Sequence, residues 1–488
     1  MVMNPKDAVQ AAANILNTAR VYEQPRLVRI HNAITPLGPT VEMPDKAPQV
    51  MQNLAVKAGT NYLPLVLDVF AQGMRVDGYR SADDPENDAP PWETWQANRL
   101  RSRQVGVHRA ALAYGASYVI VTPGQMTGIT GDVTSRAKIQ GSSPRRCTAV
   151  YEDPVNDDYP MLALYVDGPM LRLYDEEAVY FIGVESVPPR SGLVDWYIQQ
   201  IPYSFRFIEA RVHGLGVCPV IRFRDRMLLD GEEVFGIVEP LLSIQQRIDE
   251  TVFGLLTAQY FAAFKQRYVI GWIPKSEEEK LKASASQLWT FADDSVKIGE
   301  FTETDLTRYL NAKDAAKLDM AAIAQVPISR LGLGTTHNLA AEAIAAMDAG
   351  KDQKTDEITD SFGESWKQVL QLAAAAEGDM TCANDVTAQV HWQDSTARSL
   401  AQTVDALGKL AQMLDVPKQA LWGRVPGVTQ TDVEEWENMV KEGDAMGNLT
   451  TLLAQQAQAM PTNGAVPAAA MPPGMNANTP HVDTPAPT

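Results

Sequence analysis

Cysteine is scarce: Cys147, Cys218 and Cys382 are the three in 488 residues. They are far apart and odd in number, which excludes a disulfide framework and leaves no Cys-x-x-Cys pair for a metal. Each reads as a small core residue. Long apolar runs are missing too, so no segment offers the roughly eighteen apolar residues that announce a membrane span. The opening residues Met1 to Asp7 lack the basic-then-apolar layout of a secretory signal. These absences predict a cytoplasmic product that stays soluble until it is assembled, with no membrane partner.

The motifs of common chemistries are also absent. No Gly-x-x-x-x-Gly-Lys-Ser/Thr stretch occurs, so no loop of that kind cradles a triphosphate. Gly214/Gly216 and Gly332/Gly334 do not complete a dinucleotide fingerprint, and neither His-Glu-x-x-His nor Gly-x-Ser-x-Gly is present. The six histidines (His31, His108, His213, His337, His391 and His481) show no ligand-like spacing. Asp157/Asp158, Asp225 and Asp293/Asp294 sit in polar stretches, where solvated turn positions account for them. The expectation is no catalytic residue, no cofactor and no metal: not an enzyme.

Basic runs are the last absence. The formal charge is −18, whereas a protein that grips duplex DNA normally shows a basic face or a basic excess. Either DNA is not a partner, or it passes without being held.

What is present is a foldable chain. Apolar residues make up 45% and charged residues 21%, the balance of a globular protein, and the length allows two to four domains. Apolar spacing predicts a helix over residues 5–20 and another from Asn61 through Phe70 and Met74. A third is expected from Trp92 to Tyr114, followed by a buried strand, Ser117–Thr122. Between 119 and 235 short β-type runs alternate with Pro, Gly and Asp: Cys147–Tyr151, Met161–Val166, Leu171–Tyr174, Val179–Ile182 and Val220–Phe223. A long helix then starts at Pro240, where proline loses no needed hydrogen bond. Carried to about Arg267 it would span roughly 40 Å.

Residues 268–302 read as a small αβ module around the charged turn Ser276–Lys282. A helix from Asp305 to about Gln325 follows and ends before Pro327. The segment 326–338 is rich in Gly and Thr and reads as a loop. From Leu339 to about Ala376 a second long helix is expected, small-faced at first, with Gly350 as a kink or break. Val386–Trp392 is a strand returning to the body, and 399–413 and 431–446 are helices. Beyond about 455 the chain carries almost no charge and too few large apolar residues to fold.

Several stretches, in this order, resemble the portal proteins of long-tailed phages infecting actinobacteria. They are Asn61-Tyr62 with Val66-Leu67-Asp68, Arg75-Val76-Asp77-Gly78-Tyr79, Trp92-Glu93-Thr94-Trp95, and His108 through Gly115. Further on come His213-Gly214-Leu215-Gly216, Phe264 through Tyr268, Leu288-Trp289-Thr290-Phe291, and Asn338 through Ile344, where many relatives have a serine at position 340. The resemblance covers roughly residues 10–445. It implies a helix-rich α+β portal fold, with two stem helices flanking a small αβ clip and a long kinked helix after a tunnel loop. It divides the chain into a wing (1–237), a stem helix (238–267), a clip (268–303), a second stem helix (304–325) and a tunnel loop (326–338). A long helix with its return strand to the wing (339–395), a helical crown (396–445) and a disordered tail (446–488) complete it.

The same resemblance implies a dodecameric ring at one capsid vertex, in the virion after a stage in the host cytoplasm. Such a ring conducts double-stranded DNA during packaging and ejection. It meets the terminase large subunit, a head–tail adaptor, the major capsid protein and scaffold. Candidate channel residues are Ser329, Arg330, Thr335, Thr336, His337, Asn338, Lys351 and Lys354; a candidate docking surface on the clip is Lys275, Glu277, Glu278, Lys280 and Lys282. An ordinary connector and solvated helix faces are the competing accounts of those residues. A soluble α+β enzyme with an unrecognised pocket, or another head-assembly protein, would be the alternative function.

Overall fold

A computed structural model describes residues 2–185, 204–262, 267–270, 297–300, 305–333, 341–393 and parts of 400–440. Residues 37–40, 45, 83, 85–86, 128–132, 227–228 and 230–233 are excepted. The chain divides into two compact units, Met1–Ser395 and Thr396–Thr488.

The first unit opens with helices α1 (Pro5–Tyr22), α2 (Gln24–Ile34), α3 (Gln49–Ala58) and α4 (Leu63–Ala71), followed by strand β1 (Val76–Arg80). In α4, Leu63, Val66, Leu67 and Phe70 recur at helical spacing and all are buried. Asn61 does the work expected at its start: its Oδ1 accepts the N–H of Leu63 at 3.1 Å. Its amide also donates to the carbonyls of Ala33 and Ile34, which α2 leaves unpaired at its end.

The helix expected over 92–114 is two helices, α5 (Pro91–Ala97) and α6 (Leu100–Tyr114). The break is made by Asn98, whose buried amide donates to the carbonyls of Thr94 and Ala137 and whose Oδ1 accepts the N–H of Ile139. A short amide that bonds the backbone of another element competes with helix continuation. Arg99 then takes a left-handed φ of 55°.

Strands β2 (Ala116–Thr122), β3 (Gln125–Thr127), β4 (Val133–Ser135), β5 (Lys138–Ser142), β6 (Cys147–Val150), β7 (Leu162–Asp167), β8 (Met170–Tyr174), β9 (Ala178–Val184), β10 (Phe205–Val212) and β11 (Val220–Arg224) follow. They build an antiparallel meander, β10-β9-β8-β7-β6, and a three-stranded sheet, β11-β2-β5; β3 pairs with β4. Central strand β2 is buried from Ala116 to Val121, as a strand covered on both faces must be. Helix α1 lies on the meander through Ala8, Ala12, Ile15 and Leu16 against Leu164, Leu171, Leu173 and Ile182.

A 3₁₀ turn at Glu239–Leu241 leads into α7 (Leu242–Ala262). Arg267 does not extend that helix; it begins β12 (Arg267–Ile270), which pairs antiparallel with β13 (Lys297–Glu300). Helix α8 (Thr307–Ala324) returns beside α7. Arg247 pairs with Asp319, and Gly254 meets Tyr309 so closely that a Cβ there would lie 2.9 Å from the ring. Those two contacts make the pair antiparallel, and glycine is what permits the approach.

Helix α9 (Ala341–Glu377) runs 37 residues without breaking at Gly350, about 56 Å at 1.5 Å per residue. A one-turn helix α10 (Met380–Ala383) and strand β14 (Gln389–Trp392) complete the unit. β14 pairs antiparallel with β1, so the expected return strand is present. In the second unit, α11 (Leu400–Met413) and α12 (Gln419–Trp422) are described, with Trp422 edge-on to Trp436 at 5.9 Å.

Candidate functional site

The site of interest is where α8 ends and the chain turns toward α9. Helix α8 stops because Gln325 adopts a left-handed φ of 58° and Pro327 supplies no N–H to continue it. Val326 and Leu331 are buried, and Ile328–Leu331 forms a 3₁₀ turn that presents Ser329 and Arg330 to solvent. Gly332, with φ 71°, ends that turn, a conformation glycine adopts without a Cβ penalty. The segment expected as a uniform loop over 326–338 thus begins with an anchored turn.

Two lysines hold this root. Lys354, on α9, donates to the carbonyl of Ala324 at 3.2 Å, placing a cation at the negative end of α8. Its ammonium also lies 5.3 Å from the centre of the Phe70 ring. Burial lowers its pKa, and Asp225 opposes that shift. Asp225 is itself raised by burial, with Arg226, 3.2 Å away, pulling the other way. Lys317, on α8, is largely buried 5.4 Å from the centre of the Tyr62 ring. Its pKa is lowered by burial and partly restored by Asp314.

Of the residues picked from sequence, the structure brings Ser329, Arg330 and Lys354 to this junction. Lys354 is not a free cation, because its ammonium is engaged inside the root. Lys351 sits one turn earlier, bound to Asp352 at 3.1 Å and mostly covered. Thr335, Thr336, His337 and Asn338 lie outside the described residues, as do Lys275, Glu277, Glu278, Lys280 and Lys282 of the expected clip.

Sequence reasoning passed over two polar clusters that position this apparatus. Gln245 donates to the carbonyl of Thr60 and accepts from the N–H of Tyr62, while Asp249 accepts from the N–H of Thr60. Both side chains are buried, so they root α7 on the turn before α4. Their signal was legible, since Gln245 and Asp249 fall beside Ile244 and Ile248 on the apolar stripe of α7. The second cluster is His108, fully buried against the rings of Phe362 and Trp366. The Trp366 indole N–H can only donate, so Nε2 of His108 accepts it at 2.8 Å. Nδ1 therefore carries the proton and faces the carbonyl of Met74 at 3.2 Å. Burial pushes its pKa down to about 3.

Among the described residues, no group of three or more His, Cys, Asp or Glu could hold a metal ion. No helix among them is long and apolar enough to cross a membrane.

Residues 14–445 match the family described as phage portal protein, SPP1 Gp6-like. The portal protein of Mycobacterium phage L5 is 24% identical over 441 residues, 87% of either chain. That of Mycobacterium phage D29 is 25% identical over 374 residues, 74% of either chain. Among solved structures, a chain from the neck of an empty GTA particle computed with C6 symmetry is 12% identical with a TM-score of 0.46. It covers 82% of this chain and 94% of its own. The chain belongs to the SPP1 Gp6-like family of phage portal proteins, the structural connectors of the bacteriophage capsid.

Proposed function

We propose that twelve copies of this chain close into a ring at the portal vertex of the virion and conduct double-stranded DNA inward during packaging and outward during ejection. The observation that carries this reading is the antiparallel pair α7 and α8, rooted at one end in the α+β body and continued at the other by the β12–β13 ladder. We assign residues 1–237 to the wing, 238–267 and 304–325 to the stem, and 268–303 to the clip. The tunnel loop is 326–338, the long helix and return strand 339–395, the crown 396–445, and 446–488 the tail, which lies outside the described residues. Apolar side chains left exposed on the pair, among them Tyr260, Phe261, Leu310, Leu318 and Ile323, are surface that neighbouring copies would cover.

A ring multiplies each lumen residue twelvefold. With a charge of −18 per chain, phosphate is repelled unless cations are placed in the lumen, and low affinity favours sliding. Arg330, exposed on the turn before Gly332, is the first candidate for such a cation, ahead of Lys351 and Lys354. Ser329, Thr335, Thr336, His337 and Asn338 would line the same constriction. The clip residues Lys275, Glu277, Glu278, Lys280 and Lys282 would meet the terminase large subunit and later a head–tail adaptor; the major capsid protein and scaffold would meet the ring's outer parts. The ring has no catalysis of its own in this scheme, and the subunits await assembly in the host cytoplasm.

Negative-stain imaging with mass photometry of the purified chain tests the proposal. Rings with a central hole and a mass near twelve subunits support it. A species that stays monomeric at high concentration and with scaffold present overturns it.

A further inference from the structure

The three-stranded sheet β11-β2-β5 carries opposite charge at its two edges. Beside edge strand β5, a groove of about 720 Å³ runs between that strand and α6. Arg99, Arg103 and Lys138 line it, and no carboxylate does. All three are exposed and form no ion pair with a described residue, which is unusual in a chain with eighteen more acidic than basic groups. Arg99 is held there in a left-handed backbone conformation, where glycine would fit without strain. Keeping arginine at that position is costly unless its side chain is used.

Beside the opposite edge strand, β11, lies the acidic loop Glu152–Asp158. Arg222 and Arg224 clamp it by donating to the carbonyl of Pro154, and Arg222 stacks on the Tyr151 ring at 3.9 Å. The loop carries four carboxylates against those two guanidinium groups. Inside it, Asp153 accepts from Val155 and Asn156, and Asp157 accepts from the N–H of Asp153. Ordering this loop on a partner would therefore cost little.

We propose that the Arg99–Arg103–Lys138 groove of one subunit receives the Glu152–Asp158 loop of the next copy of this chain. Like edges would repel, so two-fold pairing through these surfaces is disfavoured and head-to-tail contact is favoured. Head-to-tail contact is the kind that generates rings when the rotation closes. The inference rests on the ring proposed above and specifies which surfaces meet in it. Duplex DNA is the competing occupant, but three cations around one groove are not an extended basic face.

The test compares the wild-type chain with Arg103→Glu/Lys138→Glu, Glu152→Lys/Asp158→Lys and the fourfold combination. Mass photometry over a concentration series at low salt reads assembly, and circular dichroism melting confirms that each variant is folded. Each one-sided reversal raises the concentration for half-assembly by roughly tenfold or more, and the combination restores it to within about threefold of wild type. Arg99→Gly supplies an independent arm: its melting temperature holds or rises while its assembly weakens. If the wild type forms rings and the one-sided variants form them equally well, this contact is wrong and the ring stands. If the groove variant assembles normally but loses binding to a fluorescent duplex, the groove belongs to nucleic acid and the proposal falls. If the wild type stays monomeric at high concentration and with scaffold present, the ring reading fails and takes this inference with it.

Discussion

The α+β body and the α7–α8 pair solve the burial problem in opposite ways. Around Trp366 the body fills its interior with its own rings, although the buried Trp95 indole N–H has no hydrogen-bond partner among the described residues. Trp95 and Phe223 each meet the Trp366 ring at 4.7 Å, and its N–H is taken by His108. The helix pair buries one side, through Ile244, Ile248, Ala316, Met320 and Ala321, and leaves Leu318 and Ile323 about half exposed. The body also leaves apolar side chains exposed, Val21, Tyr22 and Val212 among them, but its centre is filled within one chain. A helix pair with apolar residues on its outer side is finished by something else, and in the ring proposed here that is a neighbouring copy.

Trp366→Ala breaks the body's side of this comparison most severely. It removes a fully buried ring and leaves His108 Nε2 without its donor, so a loss of about 3–5 kcal/mol is expected. Chemical unfolding of the body should read it, with the midpoint falling in proportion. Gly254→Val acts on the other region, forcing Tyr309 away from α7. Overpacking there should cost about 1–3 kcal/mol, and Gly254→Val/Tyr309→Ala should recover part of it in a thermal melt.

Next in size is a pH effect from His108. Its folded pKa, about 3, lies below the ordinary 6.5, so the unfolded state binds the proton first. Stability then rises with pH across the window from about 3 to 6.5 and falls as the solution is acidified through it. The slope from this one group is at most about 1.4 kcal/mol per pH unit. In unfolding curves at pH 7, 6 and 5, His108→Gln should show a shallower decline than wild type. The smallest effect expected is that of Lys354→Met, which removes one hydrogen bond, about 1 kcal/mol. Faster amide exchange confined to the turn after Ala324 should report it, with the core of the body unchanged.

Much of the architecture was legible because local signals agreed with the fold. The apolar spacing of α4, the proline before α7 and the unbroken apolar run of β2 each specify their element without help from distant residues. The failures share a different cause. Asn98 breaks the helix expected over 92–114 through bonds to Ala137 and Ile139, some forty positions away, which no local pattern reveals. β10 is not among the strands expected from sequence, because Arg206, Glu209 and Arg211 interrupt its apolar pattern and a bulge between Phe207 and Glu209 shifts its alternation. At the candidate site, the stop before Pro327 and glycine at 332 could be read directly. That Lys354 turns inward to Ala324 could not, since an i-to-i+30 contact leaves no mark on spacing.

The most direct test of the contrast between a self-sufficient body and an unfinished helix pair is Leu318→Glu/Ile323→Glu, measured by mass photometry beside the wild type. Rings near twelve subunits are expected for the wild type, and for the variant a folded monomer with an unchanged melting temperature. A variant that still closes into rings, or one that unfolds as a monomer, would contradict it.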